Sequence, residues 1–345
     1  MEYLITGCFF LLLSTIEVIK YNKFYSYLML ILCSIIMILF AGLRDGTIVG
    51  TDSPAYFRNY QYPLDYEAEY GYKYLAAFFS KTLDANYNLF LLVINTLSIG
   101  LIATSLKKNS YFLVFPLLIY FSDFYLYYNF SGIRQALAVS FSSFALYYGW
   151  QRNYKAFFLF LICSMCFHIS AVAFALAIFV PKKTLTIRNY IYLILLAVVG
   201  FVAIGYLLEH NEYLSYKFKY YSEIQENSDN IVSQFIVGIL KRSIVLVLIF
   251  LFSKEFFTNQ RFVYFFNLYL LGFIIYVSTY LISPDFGVRF STYYTIIDMF
   301  LVGNMLYLCR KNYQKIIIFT VISVMIVYKI STYAFLEPYL YKLAF

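Results

Sequence analysis

Five ionisable side chains lie within or at the edges of apolar stretches of the sequence. In a chain that is 62% hydrophobic and 13% charged, these positions correspond to membrane depth, where an ionisable group is costly unless it is paired. Four of the five are arginines and one is a histidine, which indicates an anionic ligand such as a lipid phosphate. The five are Arg44, Arg134, His168, Arg242 and Arg289.

The first arginine belongs to the segment 42–56, which reads GLRDGTIVGTDSPAY. Its glycines permit tight turns whose free N–H groups bind anions, and Arg44 can hold phosphate oxygens with its planar guanidinium group. Asp52 can orient this guanidinium group or bind sugar hydroxyls. An external loop with an interfacial arginine is the alternative, but the segment is more polar and glycine-rich than a connector requires.

The second arginine starts a predicted helix in the sequence NFSGIRQ, residues 129–135. Arg134 and Gln135 are predicted to point into the helix bundle and bind the ligand, although a capped helix end with an interfacial arginine gives the same pattern. In the sequence EYGY, Glu69 can hydrogen-bond to a sugar and Tyr72 can stack on it. Exposed interfacial tyrosines are the common alternative in a chain with 39 tyrosines.

The sequence around the other three ionisable side chains is less specific for a function. His168 can act as a general base toward a sugar hydroxyl or donate to a phosphate, whereas most lone buried histidines are structural. Arg242 follows a lysine inside an apolar span, so one of the two is expected to face a cavity. Arg289 begins an apolar span, and Asp298 later in that span can neutralise it.

Membrane helices are predicted to carry most of these side chains. An apolar share of 62% excludes a soluble globular domain, and the apolar runs lack the alternation of barrel strands. We predict an all-α polytopic integral membrane protein of one domain, residues 1–345, with about 11 or 12 spans of roughly 30 Å. The predicted spans are 2–19, 24–42, 87–106, 111–128, 130–150, 156–180, 189–208, 231–253, 262–282, 289–308 and 315–335.

Two longer polar segments, 43–86 and 209–230, are predicted to be external loops, and Tyr72 to Leu83 is predicted to form a short interfacial helix. Basic residues in short loops mark the cytoplasmic side of a membrane protein. Most basic residues fall on that side if the run 156–180 is a broken, re-entrant hairpin, and most fall outside if it crosses once. The hairpin directs four of the candidates toward one external cavity: Arg44, Arg134, His168 and Arg289.

Four short motifs occur in order along the first half of the chain. The sequence resembles the EpsG family of Wzy-type polymerases, which build bacterial exopolysaccharide, capsule or O-antigen. The motifs cover roughly residues 42–170, and general hydropathy covers the rest. They are Arg44 with Gly50-Thr51-Asp52 and Tyr56, then Glu69 with Gly71 and Tyr72, then Ile133 to Gln135, and then Phe167 to Ser170.

The resemblance implies a glycosyltransferase on the outer face of the bacterial cytoplasmic membrane. Its donor and acceptor would be glycans linked to a polyprenyl diphosphate such as undecaprenyl diphosphate. It implies no cofactor and no metal, because arginines would stabilise the departing diphosphate. The catalytic candidates are then Arg134 with His168 or Asp52 as the base. Expected partners are membrane lipids, a chain-length regulator and other export components, and no nucleic acid is expected.

Two other classes of function use similar residues. A flippase or transporter for lipid-linked oligosaccharide also needs arginines in a cavity, but it should show inverted repeats or paired broken helices. The sequence shows one broken helix and no repeat. A membrane O-acyltransferase is the third possibility, with His168 as its obvious catalytic candidate. The polymerase interpretation is favoured over both.

Overall fold

The fold is helical, as the composition predicts. The computed structural model describes residues 1–65, 68–184, 186–210, 215, 231–281 and 283–344, and these residues form helices and no strand. Six helices in this part of the chain are long and apolar enough to cross a membrane. The predicted all-α polytopic membrane fold is confirmed. The six are α1 (Glu2–Ile19), α2 (Lys23–Gly42), α5 (Tyr87–Asn109), α11 (Ile231–Leu251), α13 (Gln260–Thr279) and α16 (Asn312–Phe335).

The other helices are short, interrupted or less apolar. The predicted span 111–128 is two helices joined by a π-helical turn at Phe121–Tyr125, and the span 289–308 is divided at Ile296. Beyond His210, the predicted loop 209–230 lies outside the described residues, except for Ser215. The remaining helices are α3 (Ser53–Gln61), α4 (Tyr70–Ala77), α6 (Val114–Tyr120), α7 (Leu126–Ser131), α8 (Ile133–Trp150), α9 (Tyr154–Phe167), α10 (Ile187–His210), α12 (Ser253–Phe256), α14 (Pro284–Thr295) and α15 (Ile297–Leu308).

The predicted break within 156–180 is present. Helix α9 ends at Phe167, His168 has an extended backbone with φ −156° and ψ 117°, and a 3-10 helix follows at Ile169–Phe179. A 3-10 helix of 11 residues is much longer than the usual single turn, and such stretches mark strain or a hinge. The break is confirmed, whereas the return of the chain to the same membrane face stays a prediction.

By its contacts the chain divides into two compact units. Unit 1 contains residues 1–171 and 302–345, and unit 2 contains residues 172–301. Arg44, Arg134 and His168 belong to unit 1, whereas Arg242 and Arg289 belong to unit 2. The prediction of a single membrane domain stays a prediction.

Small polar residues join the central helices of unit 1. Ser98 of α5 hydrogen-bonds Ser140 of α8 at 2.9 Å, and Ser142 of α8 hydrogen-bonds Ser164 of α9 at 2.8 Å. In lipid these hydroxyl pairs hold helices together, and the small side chains let the backbones approach closely. The α5–α8–α9 packing therefore fixes the start of α8, which carries Arg134, relative to the break after α9.

One end of unit 1 collects basic residues, here called the basic end. The Lys107 ammonium lies 4.9 Å from the centre of the Tyr27 ring, close to the start of α2. Asn304, near the end of α15, accepts from the Tyr111 N–H at 3.3 Å and donates to the Asn109 carbonyl at 3.1 Å. The loop after α15 therefore lies at the same end as Lys107, as the hairpin topology predicts for the basic residues 310–315.

A buried carboxylate lies at the basic end. Glu17 of α1 is 2% exposed and accepts from the backbone N–H groups of Leu113, Val114 and Phe115 at 2.8, 2.9 and 3.3 Å. These are the first N–H groups of α6, which have no partner within a helix and attract negative charge. Glu17 thus caps a helix that begins almost a hundred residues later in the chain.

Glu17→Ala is expected to destabilise the protein by about 3 kcal/mol, because three buried donors lose their acceptor. Glu17→Gln should lose less, since the amide oxygen still accepts. The measurement is the midpoint of thermal unfolding in detergent, followed by the fluorescence of Trp150. Glu2→Ala is the matched control, because its side chain is on the same helix and 52% exposed. Equal midpoints for the Glu17→Ala and Glu2→Ala variants would contradict the assignment.

Candidate active site

The site of unit 1 is built around an ion pair. The Arg134 guanidinium donates from Nη1 to Glu69 Oε2 at 2.6 Å, and the two side chains are only 13% and 9% exposed. Arg134 lies in the first turn of α8, and Glu69 directly precedes α4. A short, partly buried pair of this kind fixes the orientation of the guanidinium plane. The structure therefore brings together two candidates that lie 65 residues apart.

Two tyrosine rings flank the Arg134 guanidinium. Its carbon lies 5.7 Å from the centre of the Tyr56 ring and 5.9 Å from that of Tyr72, and its Nε donates to the Tyr56 hydroxyl at 3.4 Å. Burial raises the pKa of Tyr56, although the charge of Arg134 acts in the opposite direction. The Tyr56 hydroxyl therefore stays protonated at neutral pH. The two rings hold the arginine in place without neutralising it.

The break after α9 also meets this ion pair. The Ile169 N–H donates to Glu69 Oε1 at 3.4 Å. Helix α4 approaches α9 closely at Gly71, where a Cβ atom would lie 2.6 Å from the Cys166 carbonyl oxygen. A side chain at position 71 would push α4 away from α9, which explains the glycine. Side chains or backbone from all four ordered motifs thus meet at Glu69 and Arg134.

His168 is 8% exposed and is engaged locally. Its Nδ1 lies 2.7 Å from the Ser170 hydroxyl and accepts from the Ser170 N–H at 3.4 Å. An N–H that points at Nδ1 favours the tautomer with its proton on Nε2. In this arrangement His168 caps the following 3-10 helix, and its role as a base stays a prediction.

Arg44 is 1% exposed and donates to three backbone carbonyls. The distances are 2.6 Å to Ala41, 3.3 Å to Val49 and 3.1 Å to Phe130. Ala41 and Phe130 lie in the last turns of α2 and α7, where unsatisfied carbonyls carry partial negative charge. Two helix ends therefore stabilise this cation, and within the described part of the chain no carboxylate forms an ion pair with it. Its predicted contact with a phosphate stays untested, and its position indicates a scaffolding role.

The loop after Arg44 is tied to the junction between α7 and α8. Gly50 has a φ of 113°, and a Cβ atom there would collide with the Phe130 carbonyl. The Thr51 N–H donates to the Ser131 hydroxyl at 2.9 Å. The glycine-rich segment thus follows the end of α7 closely and delivers Tyr56 to Arg134.

Residues 336–344, here called the strap, cover the same loop. The N–H groups of Asp45 and Gly50 donate to the carbonyls of Lys342 and Pro338 at 2.8 and 2.7 Å. The Tyr339 hydroxyl lies 2.8 Å from that of Ser131. The strap and Arg44 therefore both hydrogen-bond to the loop and hold it in place. Sequence reasoning missed this segment, because it is short and carries no motif.

Two further candidates lie beside the ion pair. Asp52 is exposed, immediately before α3, and close enough to interact electrostatically with the Tyr56 hydroxyl. Gln135 is 6% exposed, and its side-chain nitrogen makes no hydrogen bond to a described residue. Tyr56 was missed as a candidate, although it stands at the end of the first motif.

The candidates of unit 2 make contacts within that unit. The Arg242 guanidinium lies 3.7 Å from the centre of the Tyr276 ring and donates to the Gly238 carbonyl at 3.0 Å. Arg289 pairs with Asp285 at 2.9 Å, one turn earlier in α14. The predicted partner Asp298 is buried in α15. Asp285 is thus an acidic partner of Arg289 that the sequence analysis did not name.

Among the described residues, no group of three or more His, Cys, Asp or Glu side chains is placed to hold a metal ion. No curated protein and no solved structure matches the chain. The profile of the EpsG family matches residues 26–343, which include every motif of the site, all of unit 2 and most of unit 1. The convergence of those motifs on Glu69 and Arg134 and the extent of this match agree: the chain belongs to the EpsG family.

Proposed function

We propose that this protein polymerises lipid-linked oligosaccharide repeat units as a membrane glycosyltransferase. The family suggests a polysaccharide polymerase-like membrane protein. The observation that carries the proposal is the Arg134–Glu69 pair, because motifs from four distant parts of the chain build it. A cation held at a helix start between two aromatic rings suits a diphosphate on a lipid carrier.

In the proposed reaction a hydroxyl group of the acceptor repeat unit attacks the anomeric carbon of the donor glycan. The bond between that carbon and the diphosphate oxygen breaks, and the polyprenyl diphosphate leaves. Arg134 stabilises the developing negative charge, assisted by the first N–H groups of α8, which have no side-chain cap. A guanidinium group has five N–H donors, so pairing with Glu69 is compatible with binding a diphosphate.

The proton of the attacking hydroxyl needs an acceptor. Asp52 is the stronger candidate, because its carboxylate is exposed and its charge acts on the Tyr56 hydroxyl. His168 is the second candidate, held next to Glu69 through Ile169 but largely buried. Glu69 itself is assigned to orient Arg134, and Tyr72 and Gln135 to line the site. Arg242 and Arg289 remain proposed diphosphate ligands on the strength of their depth alone.

The proposed location is the cytoplasmic membrane of a bacterium, with the site facing outward. Cytoplasmic loops are enriched in Lys and Arg, so the basic end of unit 1 is assigned to the cytoplasm. The loop 43–50 follows the C-terminal end of α2, and the strap follows the C-terminal end of α16. Both therefore lie at the helix ends that are opposite to the basic end. Lipid-linked donor and acceptor glycans, surrounding lipids and export components such as a chain-length regulator are the proposed partners.

The test is reconstitution of the purified protein with a synthetic polyprenyl-diphosphate repeat unit, with no other protein and with EDTA present. A ladder of longer glycans is expected. Translocation of the lipid-linked unit between membrane leaflets, with no elongation, would support the flippase alternative and reject the polymerase. Acyl transfer to the glycan without elongation would reject it in favour of the acyltransferase.

A further inference from the structure

An open cavity of about 370 Å³ lies beside α3, and neither Arg134 nor Glu69 lines it. Its walls come from the end of α3, from residues just after α4 and from the start of α5, all within unit 1. The volume is at the lower end of the range for small-ligand sites, about 300 to 1,000 Å³. None of the proposed chemistry uses this cavity.

The lining combines aromatic rings with hydrogen-bonding groups. Tyr60 and Tyr87 are buried, and their ring centres are 5.2 Å apart, so these rings form a fixed wall. Tyr62 is 62% exposed and stands at the margin. Four polar side chains also line the cavity: Gln61, Ser80, Lys81 and Asn86.

This combination suits a carbohydrate. A sugar ring presents C–H groups that pack on an aromatic face and hydroxyl groups that both donate and accept, as an amide side chain does. Lys81 adds a positive charge for a carboxylate or phosphate substituent on the glycan. An entirely apolar ligand would displace water from the Gln61 and Lys81 side chains without replacing its hydrogen bonds.

The cavity is also placed along the path of a glycan. Tyr56 contacts Arg134, and Tyr60 lines the cavity one helical turn later on α3, a step of about 6 Å. A glycan whose diphosphate lies at Arg134 and whose chain follows α3 would therefore reach this cavity with its more distant sugars.

We propose that the cavity lined by Tyr60, Tyr62, Lys81 and Tyr87 binds the glycan of a lipid-linked substrate at sugars remote from the diphosphate. This assignment rests on the proposed polymerase function. A distal subsite holds a longer chain more firmly than a single repeat unit, so it favours further elongation of chains already begun.

The test uses the double variant Tyr62→Ala/Lys81→Gln in the reconstituted full-length protein. The first coupling of two repeat units should proceed at the wild-type rate, while the average product becomes shorter. Soluble fragments of two or more repeat units, prepared from the polysaccharide of the source cells, should bind about tenfold more weakly, the combined size expected for one aromatic contact and one exposed charge. Tyr74→Ala is the matched control, because Tyr74 is also 62% exposed but lies outside the cavity.

The outcomes separate this inference from the proposed function. A wild-type ladder and unchanged fragment binding in the double variant would overturn the subsite while leaving the polymerase intact. Retention of anionic phospholipid that depends on Tyr62 and Lys81, with unchanged fragment binding, would assign the cavity to a lipid headgroup instead. If the wild-type protein makes no ladder, the proposed polymerase function is rejected. The binding of glycan fragments then tests the proposed subsite by itself.

Discussion

Replacing Arg134 by alanine should lower the rate of glycan elongation on the order of 100- to 1,000-fold, the loss expected for one preorganised group that stabilises developing charge. The protein should remain folded, because Glu69 keeps its hydrogen bond from the Ile169 N–H. The measurement is the initial rate of ladder formation after reconstitution. Arg58→Ala, an exposed arginine of α3, is the matched control and should keep the wild-type rate.

Two companion variants sharpen this prediction. Arg134→Lys keeps the charge but loses the planar fork that contacts Glu69 and Tyr56 together, so most of the rate should still be lost. Glu69→Gln should keep part of the rate, since its amide oxygen still accepts from Arg134. Wild-type rates in both the alanine and the lysine variant would remove Arg134 from the mechanism.

Replacing Arg44 by methionine should have the largest effect on stability. Three buried carbonyls would each lose a charged donor, a cost of about 3 kcal/mol. The Ser53 hydroxyl still lies within hydrogen-bond distance of the Val49 and Phe130 carbonyls, so the Ala41 carbonyl is affected most. Lysine at this position has one ammonium group and cannot reach three separate carbonyls, so Arg44→Lys should also destabilise the protein. The measurement is the midpoint of thermal unfolding in detergent, and Arg58→Met is the control.

Thermal unfolding and elongation rate, measured on the same Arg44 variants, separate the two roles considered for Arg44. A scaffolding arginine predicts that stability and elongation fall together, and that a lower assay temperature restores part of the activity. A phosphate ligand predicts wild-type stability with no elongation at any temperature. That second result would contradict the assignment made from the three carbonyl contacts.

The sequence predicted the class of fold and the break at His168, because both depend on local properties. Apolar length determines which segments cross a membrane, and the distribution of basic residues made a single crossing of 156–180 unfavourable. The π-helical turn at Phe121–Tyr125 was missed, since an extra residue within a helix leaves no mark on a hydrophobic run.

The candidate site was predicted in part. The motif order identified Arg134 and Glu69 as candidates, and the structure pairs them. The environment of Arg44 could not be foreseen, because its partners are backbone carbonyls and one of them is 86 residues away. Every residue has the same backbone carbonyl, so the sequence does not reveal which carbonyls a buried arginine will contact. A sequence pattern that indicates a buried cation therefore cannot tell whether that cation contacts a ligand or a helix end.

The strap has a consequence for the order of events during protein synthesis. A chain emerges from the ribosome N-terminus first, so the loop 43–50 is made early and its partners at 336–344 follow all of the described membrane helices. A nascent chain is therefore expected to remain inactive until the strap has been made and has bound the loop 43–50. A chain that ends at residue 335 should insert fully, make no polymer and be cleaved by protease within 43–50, where the longer chain resists.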